Sequence, residues 1–203
     1  MPNKGHQLQN GRPIVTIKVE VAVTDTAAGL IHNDAESRKK AFEGLPEEQQ
    51  RPDFARHVGE LYALEAELQK HEDRAAAYKA YNNAAAMFDA EYEANRIDGG
   101  DYGKLNALIR AIAAYEAQGA FASFPEGTKD DVDVQRTAYR NAANRSLMVV
   151  ELLNGIGEHD PVVLGDFIEN YQEKQKEYTS KAETAELLLE SIGGAASVPH
   201  RSD

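Results

Sequence analysis

The chain has 203 residues, 42% of them hydrophobic and 28% charged, with a formal net charge of −12, a mean hydropathy of −0.56 and no cysteine. That length is one domain, or one domain with an appendage, and it can bury a core. The composition excludes a disulfide framework and thiolate chemistry, lacks the basic footprint of a nucleic-acid binder, and holds no apolar run near the roughly 20 residues that span a bilayer.

Residues 1–11 are polar and read as a loose arm. The start has no apolar centre of a secretory signal, so a cytoplasmic location, or a particle assembled in a cytoplasm, is expected. The stretch "RPIVTIKVEVAV" then places Val15, Ile17, Val19, Val21 and Val23 on alternate positions, with Thr16, Lys18, Glu20 and Ala22 between them. Period two predicts a half-buried β-strand over 14–23. Its backbone groups need partners. The following "TDTAAGLIHND" is too short a mate, and no later stretch alternates. The strand is therefore expected to pair outside the chain, with a second copy or with another protein's sheet. Lys18 and Glu20 suit an antiparallel self-pair. A strand laid along the helices, its free edge in water, is the alternative.

Helical spacing takes over afterwards. Asn33 or Asp34 is read as the cap of a short helix over 34–43, and Pro46 and Pro52 punctuate a loop. Asp53 is read as the next cap. A stripe then runs through Phe54, Val58, Leu61, Leu64, Leu68, Ala75, Tyr78, Ala85, Phe88 and Tyr92, at steps of three and four or their sums. Glycine and proline are absent between Glu60 and Asp98. One helix over 53–97, roughly 65 Å long, is expected. A break would fall in "KHEDRAAA", where the stripe thins.

After the turn Ile97–Gly103, Leu105, Leu108, Ile109, Ile112 and Tyr115 mark a helix over 102–118, stopped by Gly119. Two phenylalanines in "FASFPEGTKDD" are expected to fold back on the core. Asp130 or Asp131 caps a helix over 131–154, through Val134, Ala138, Ala142, Val149 and Leu152. Asp160 and Pro161 open the last helix, 161–192. Its seam, Leu164, Ile168, Tyr171, Gln175, Tyr178, Ala182, Ala185, Leu189 and Ile192, alternates steps of four and three, a heptad pattern. Packing against another long helix of the same chain is the preferred reading of that seam; a coiled coil between chains is the alternative.

The fold class expected is mainly α, an antiparallel bundle of long helices with one N-terminal strand. The chain divides into an arm and strand at 1–33, a bundle at 34–194 and a tail at 195–203.

Chemistry is sparse. His57 and His71 are four turns apart and cannot share a metal. Glu67 and His71, one turn apart, make at most half a site. Asp130, Asp131 and Asp133, and Asp98 with Asp101, read as helix caps; "DGGDYGKLNALI" lacks the ligands of a calcium loop. No phosphate loop, dinucleotide fingerprint or nucleophile elbow occurs. No catalytic, cofactor-binding or metal residue is assigned, and no cofactor is expected. Tyrosine is the favoured aromatic, with nine tyrosines against six phenylalanines and no tryptophan. Tyr171 and Tyr178 suit a core with wet margins or a protein-binding face. The interaction residues assigned are Val15, Ile17, Val19, Val21, Val23, Tyr171 and Tyr178.

These features point to a non-catalytic structural or assembly protein of the kind found in phage or virion particles. Its partners would be proteins, in a homo-oligomer or larger assembly. An acidic adaptor or inhibitor seated in a partner's basic groove is the first alternative. A metal-binding helical enzyme, resting on Glu67, His71 and the Asp98–Asp101 turn, is the second.

Overall fold

The structure, a computed structural model, describes residues 8–9, 12–13, 16–98, 100–122, 128–157 and 161–195, with side chains described for 27–97, 100–122, 128–156 and 164–192. Six α-helices occupy these residues: α1 Thr16–Glu43, α2 Pro52–Gln69, α3 Arg74–Asp98, α4 Asp101–Ala122, α5 Lys129–Gly157 and α6 Pro161–Ala195. A 3-10 turn at Glu47–Gln49 separates α1 from α2.

Each helix packs mainly on its sequence neighbours, α1 on α2 and so on to α5 on α6. Neighbours run antiparallel. Along α1 and α2, His32 meets Glu65, Glu36 meets Tyr62 and Phe42 meets Phe54, one number rising as the other falls. Along α3 and α4, Asn82 meets Gln118, Asp89 meets Tyr115 and Glu91 meets Arg110. A continuous core threads all six helices, from Ala35 and Phe42 through Val58, Phe88, Leu108 and Val149 to Tyr178 and Ala182. Burying a side chain such as Leu108 or Val149 contributes about 1.5–3 kcal/mol. Much of the rest is alanine. Ala84, Ala85, Ala107, Ala111, Ala138 and Ala142 are fully buried, and small side chains let helices approach closely. Gly59 and Gly119 extend this device. A Cβ on Gly59 would lie 2.6 Å from Phe88 Cε1, and one on Gly119 would lie 2.9 Å from Tyr139 Cζ.

The expected strand is not what the backbone forms. Residues 16–23 lie in the first turns of α1; Ile14 and Val15 fall outside the described residues, as do the side chains of 16–26. The physical reason is the missing mate. A lone strand leaves its ladder unsatisfied, whereas a helix pairs its amides and carbonyls internally. Nearby, Leu8–Gln9 pairs antiparallel with Arg12–Pro13, in a ladder of two residues each. The short helix expected at 34–43 is the end of α1, which runs through Asn33 and Asp34 without a boundary. Asp34 bonds Arg38 at 2.8 Å rather than capping.

The single helix expected over 53–97 is two. Gln69 O accepts the amides of Glu72 and Asp73 at 3.0 and 2.9 Å, closing α2, and Asp73 Oδ1 accepts the Ala76 amide at 2.9 Å, opening α3. An aspartate N-cap is enough to restart a helix without glycine or proline. The stripe marks much of the buried face, with Val58, Ala85 and Phe88 buried, but Leu64 and Ala75 are exposed, and buried Ala55, Tyr62 and Ala66 lie off it. Asp53 does not cap α2. Arg51 holds that position with no side-chain cap bond, and Pro52 takes the first turn.

The other helices differ from expectation at their ends. α4 passes Gly119 and reaches Ala122, because Gly119 answers a close approach rather than a stop. Phe121 does fold back, its ring stacked 5.6 Å from Tyr81; Phe124 lies outside the described residues. The cap of α5 is Thr128, not an aspartate. Thr128 Oγ1 accepts the Asp131 amide at 3.3 Å, and Asp131 Oδ2 accepts the Thr128 amide at 2.9 Å, a reciprocal capping box. Asp160 and the expected tail from 196 on lie outside the described residues. Among the described residues no helix is long and apolar enough to cross a membrane.

Candidate interaction surface

The heptad seam of α6 faces α5. Tyr171, Tyr178, Ala182 and Ala185 are buried, and Leu164, Ile168, Gln175, Leu189 and Ile192 half-buried. Tyr178 stacks on Tyr139 of α5 with centroids 6.2 Å apart and planes 11° apart. Lys181 Nζ sits 5.2 Å from the Tyr139 centroid and 5.7 Å from that of Tyr178, a cation–π arrangement. Burial pushes the Tyr139, Tyr171 and Tyr178 hydroxyls above their ordinary pKa, and at Tyr178 the Glu116 carboxylate adds to the effect. Tyr178 donates to Glu116 of α4 at 2.8 Å, tying α6 to its second neighbour. The two tyrosines assigned as interaction residues are thus spent inside the chain. Val15 lies outside the described residues; Ile17, Val19, Val21 and Val23 lie in α1, their side chains not described.

A cleft of about 600 Å³ runs along one flank of the α5–α6 pair, with Ala143 and Ala182 among its lining residues. Arg140 and Asn144 of α5 and Glu183 and Leu187 of α6 also line it. At its polar end Glu186 accepts from Arg136 at 3.0 Å and from Arg140 at 2.6 Å. Arg136 also pairs with Asp133, and its Nε is buried without a partner. Leu187 is 67% exposed, and Leu147, one turn beyond Asn144 on α5, is 47% exposed. On the other flank of α6, Leu188 borders a smaller cleft with Tyr139 and Lys181. As the last helix of the array, α6 has α5 as its main packing partner, so apolar residues off its seam stay in water. The run Leu187–Leu188–Leu189 was the available signal: three successive leucines on a helix cannot share one seam.

The residues weighed for chemistry scatter. Glu67 takes the Tyr81 hydroxyl and Lys70 Nζ, the latter at 2.5 Å, which with burial acting the other way leaves its pKa lowered. His71 lies in the exposed link after α2. Asp101 pairs with Lys104 at 3.1 Å. Among the described residues no group of three His, Asp or Glu gathers closely enough to hold a metal. Sequence reading missed the polar ties between helices, two of them in the core's margins. His32 Nδ1 meets the buried Glu65 at 3.0 Å, and Asp89 meets both Tyr115 and Arg145.

No family model and no curated protein matches the sequence. Among solved structures the chain is similar to a de novo designed helical repeat protein, DHR64, at 17% identity and a TM-score of 0.43, over 84% of this chain and 86% of that one. The serial packing described above stands on this chain's own helix contacts.

Proposed function

We propose that the protein is a non-catalytic structural or assembly protein whose helical array contacts a second copy of itself through the open α5–α6 flank. The observation that carries this reading is the small-residue cleft bordered by exposed Leu187 and continued by exposed Leu147. Such a groove suits a helix laid across it, since alanines permit close approach and leucines supply apolar area.

Two copies carrying −12 each repel, so self-association through this flank should strengthen as salt rises. The acidic-adaptor reading has the opposite sign, because binding to a basic groove weakens with salt. Size-exclusion chromatography with light scattering, on the full chain and on a version lacking residues 1–24, tests the flank contact. Salt-promoted oligomers that persist without residues 1–24 support the flank; oligomers lost with that deletion shift the contact to the amino-terminal segment. A monomer at every concentration and salt level removes the reading.

A further inference from the structure

We propose that a second site, the cleft where α2, α3 and α4 meet, binds a small oxyanion, a phosphate or carboxylate group, between Arg51, Arg56 and Arg110. The cleft encloses about 490 Å³, with Asn95 and Asn106 completing the amide-rich part of its lining. Three arginines meet two carboxylates there, Asp53 and Glu91, in a chain whose net charge is −12. This local excess of positive charge runs against the rest of the molecule.

The three guanidinium groups differ in commitment. Arg110 is held in place: its Nε and Nη2 donate to Glu91 at 3.1 and 2.5 Å, and its Cζ lies 5.9 Å from the Phe88 ring centroid. Glu91 is itself 2% exposed, so the fork is fixed before a ligand arrives, and little side-chain entropy is lost on binding. The second terminal nitrogen, Nη1, is left for a ligand. Arg51 touches Asp53 through Nε at 3.3 Å, with its terminal nitrogens uncommitted. Arg56 is exposed, and its charge acts on the Glu91 carboxylate, favouring the ionised form, without a direct hydrogen bond between them. A planar fork matches two oxygens of a carboxylate or phosphate.

The test is a nuclear magnetic resonance titration of the labelled full chain with sodium phosphate and, separately, sodium succinate, at constant ionic strength. Saturable shifts confined to amides near 51–56 and 103–110 are expected. Saturation by phosphate alone, by succinate alone or by both supports the site and distinguishes the source of the oxyanion. Arg56→Gln breaks no hydrogen bond of the fold, removing only a longer-range attraction to Glu91, and should weaken binding roughly tenfold, the effect of losing one charge-assisted contact. Arg110→Lys keeps a charge beside Glu91 while removing the fork, and should weaken it as well. Lys176→Gln, on the exposed side of the distant α6, should leave it unchanged. Shifts that never saturate, or an Arg56→Gln protein that binds as the parent does, would overturn the proposal.

Discussion

Arg145 on α5 grips Asp89 on α3 through two hydrogen bonds, from Nε at 2.7 Å and from Nη2 at 2.8 Å. These helices are second neighbours in the chain, with α4 between them in sequence, and Tyr115 of α4 donates to the same carboxylate at 2.8 Å. One aspartate therefore joins three successive helices. Asp89 and Arg145 are each about a quarter exposed, at 22% and 26%. Asp89→Asn should cost about 2 kcal/mol, between the values for exposed and for buried pairs. A double-mutant cycle with Arg145→Met, read by urea unfolding, should show a coupling energy of that order. Additive losses would mean that the two side chains do not act together.

Gly59 marks the closest approach of α2 to the Phe88 ring of α3. Gly59→Ala raises helix propensity by about 1 kcal/mol yet forces the ring to move, at a cost of about 1–3 kcal/mol. The expected result is net destabilisation, restored in part by Phe88→Leu. Thermal unfolding of Gly59→Ala and of the Gly59→Ala, Phe88→Leu double variant checks it; a Gly59→Ala protein more stable than the parent would show that the ring has room to shift.

Thr128 should matter at the start of α5. Removing its hydroxyl by Thr128→Ala breaks the reciprocal cap with Asp131 and should cost about 1 kcal/mol. Asp73→Ala should cost a similar amount at the start of α3, where Asp73 accepts the Ala76 amide. Urea midpoints of the two variants, compared with a surface control such as Lys176→Ala, are the measurement.

Alkaline pH should unfold the chain. Burial and neighbouring carboxylates raise the hydroxyls of Tyr62, Tyr81, Tyr115 and Tyr178 well above the ordinary tyrosine value of 10.0. Their folded pKa exceeds the unfolded one, so the stability linked to them is complete below pH 10 and lost as pH rises beyond it, when only the unfolded state releases the proton. The last part of the phenolate absorbance should rise only with loss of helical circular dichroism. Ionisation of all nine tyrosines in a chain that keeps its helices would contradict the burial of these four rings. At the acidic end Glu36 and Glu67 are lowered, chiefly by bonds from Tyr62 and Lys70. Their contribution is present above the ordinary carboxylate range and fades as pH falls through it.

Much of this architecture was legible, and the reasons for the misses are physical. The α6 seam could be read because a heptad repeat needs nothing but periodicity, and Tyr171, Tyr178, Ala182 and Ala185 are buried as it requires. The break after Gln69 falls within Lys70–Ala77, where the stripe thins, but the sequence still reads as a continuous helix, because a step of seven from Leu68 to Ala75 carries the stripe across the four-residue link and Asp73 supplies a cap without a breaker. The alternation from Val15 to Val23 is a sound strand signal that had no partner within the chain, and residues 16–23 belong to a helix instead. The Asp89–Arg145 tie spans 56 residues, and no local pattern joins positions so far apart. The Leu187 edge of the α5–α6 cleft was readable from its triple leucine, whereas Leu147 needed the neighbouring helix to give it meaning.

The central claim is that the α5–α6 flank holds another copy of the chain, and sedimentation of the Leu147→Glu, Leu187→Glu double variant beside the parent tests it most directly. Both leucines are exposed, at 47% and 67%, so the substitutions should leave helical content unchanged. The parent should sediment as an oligomer that grows with protein concentration and salt, and the double variant as a monomer. A parent that stays monomeric throughout, or a variant that associates as the parent does, would contradict the account.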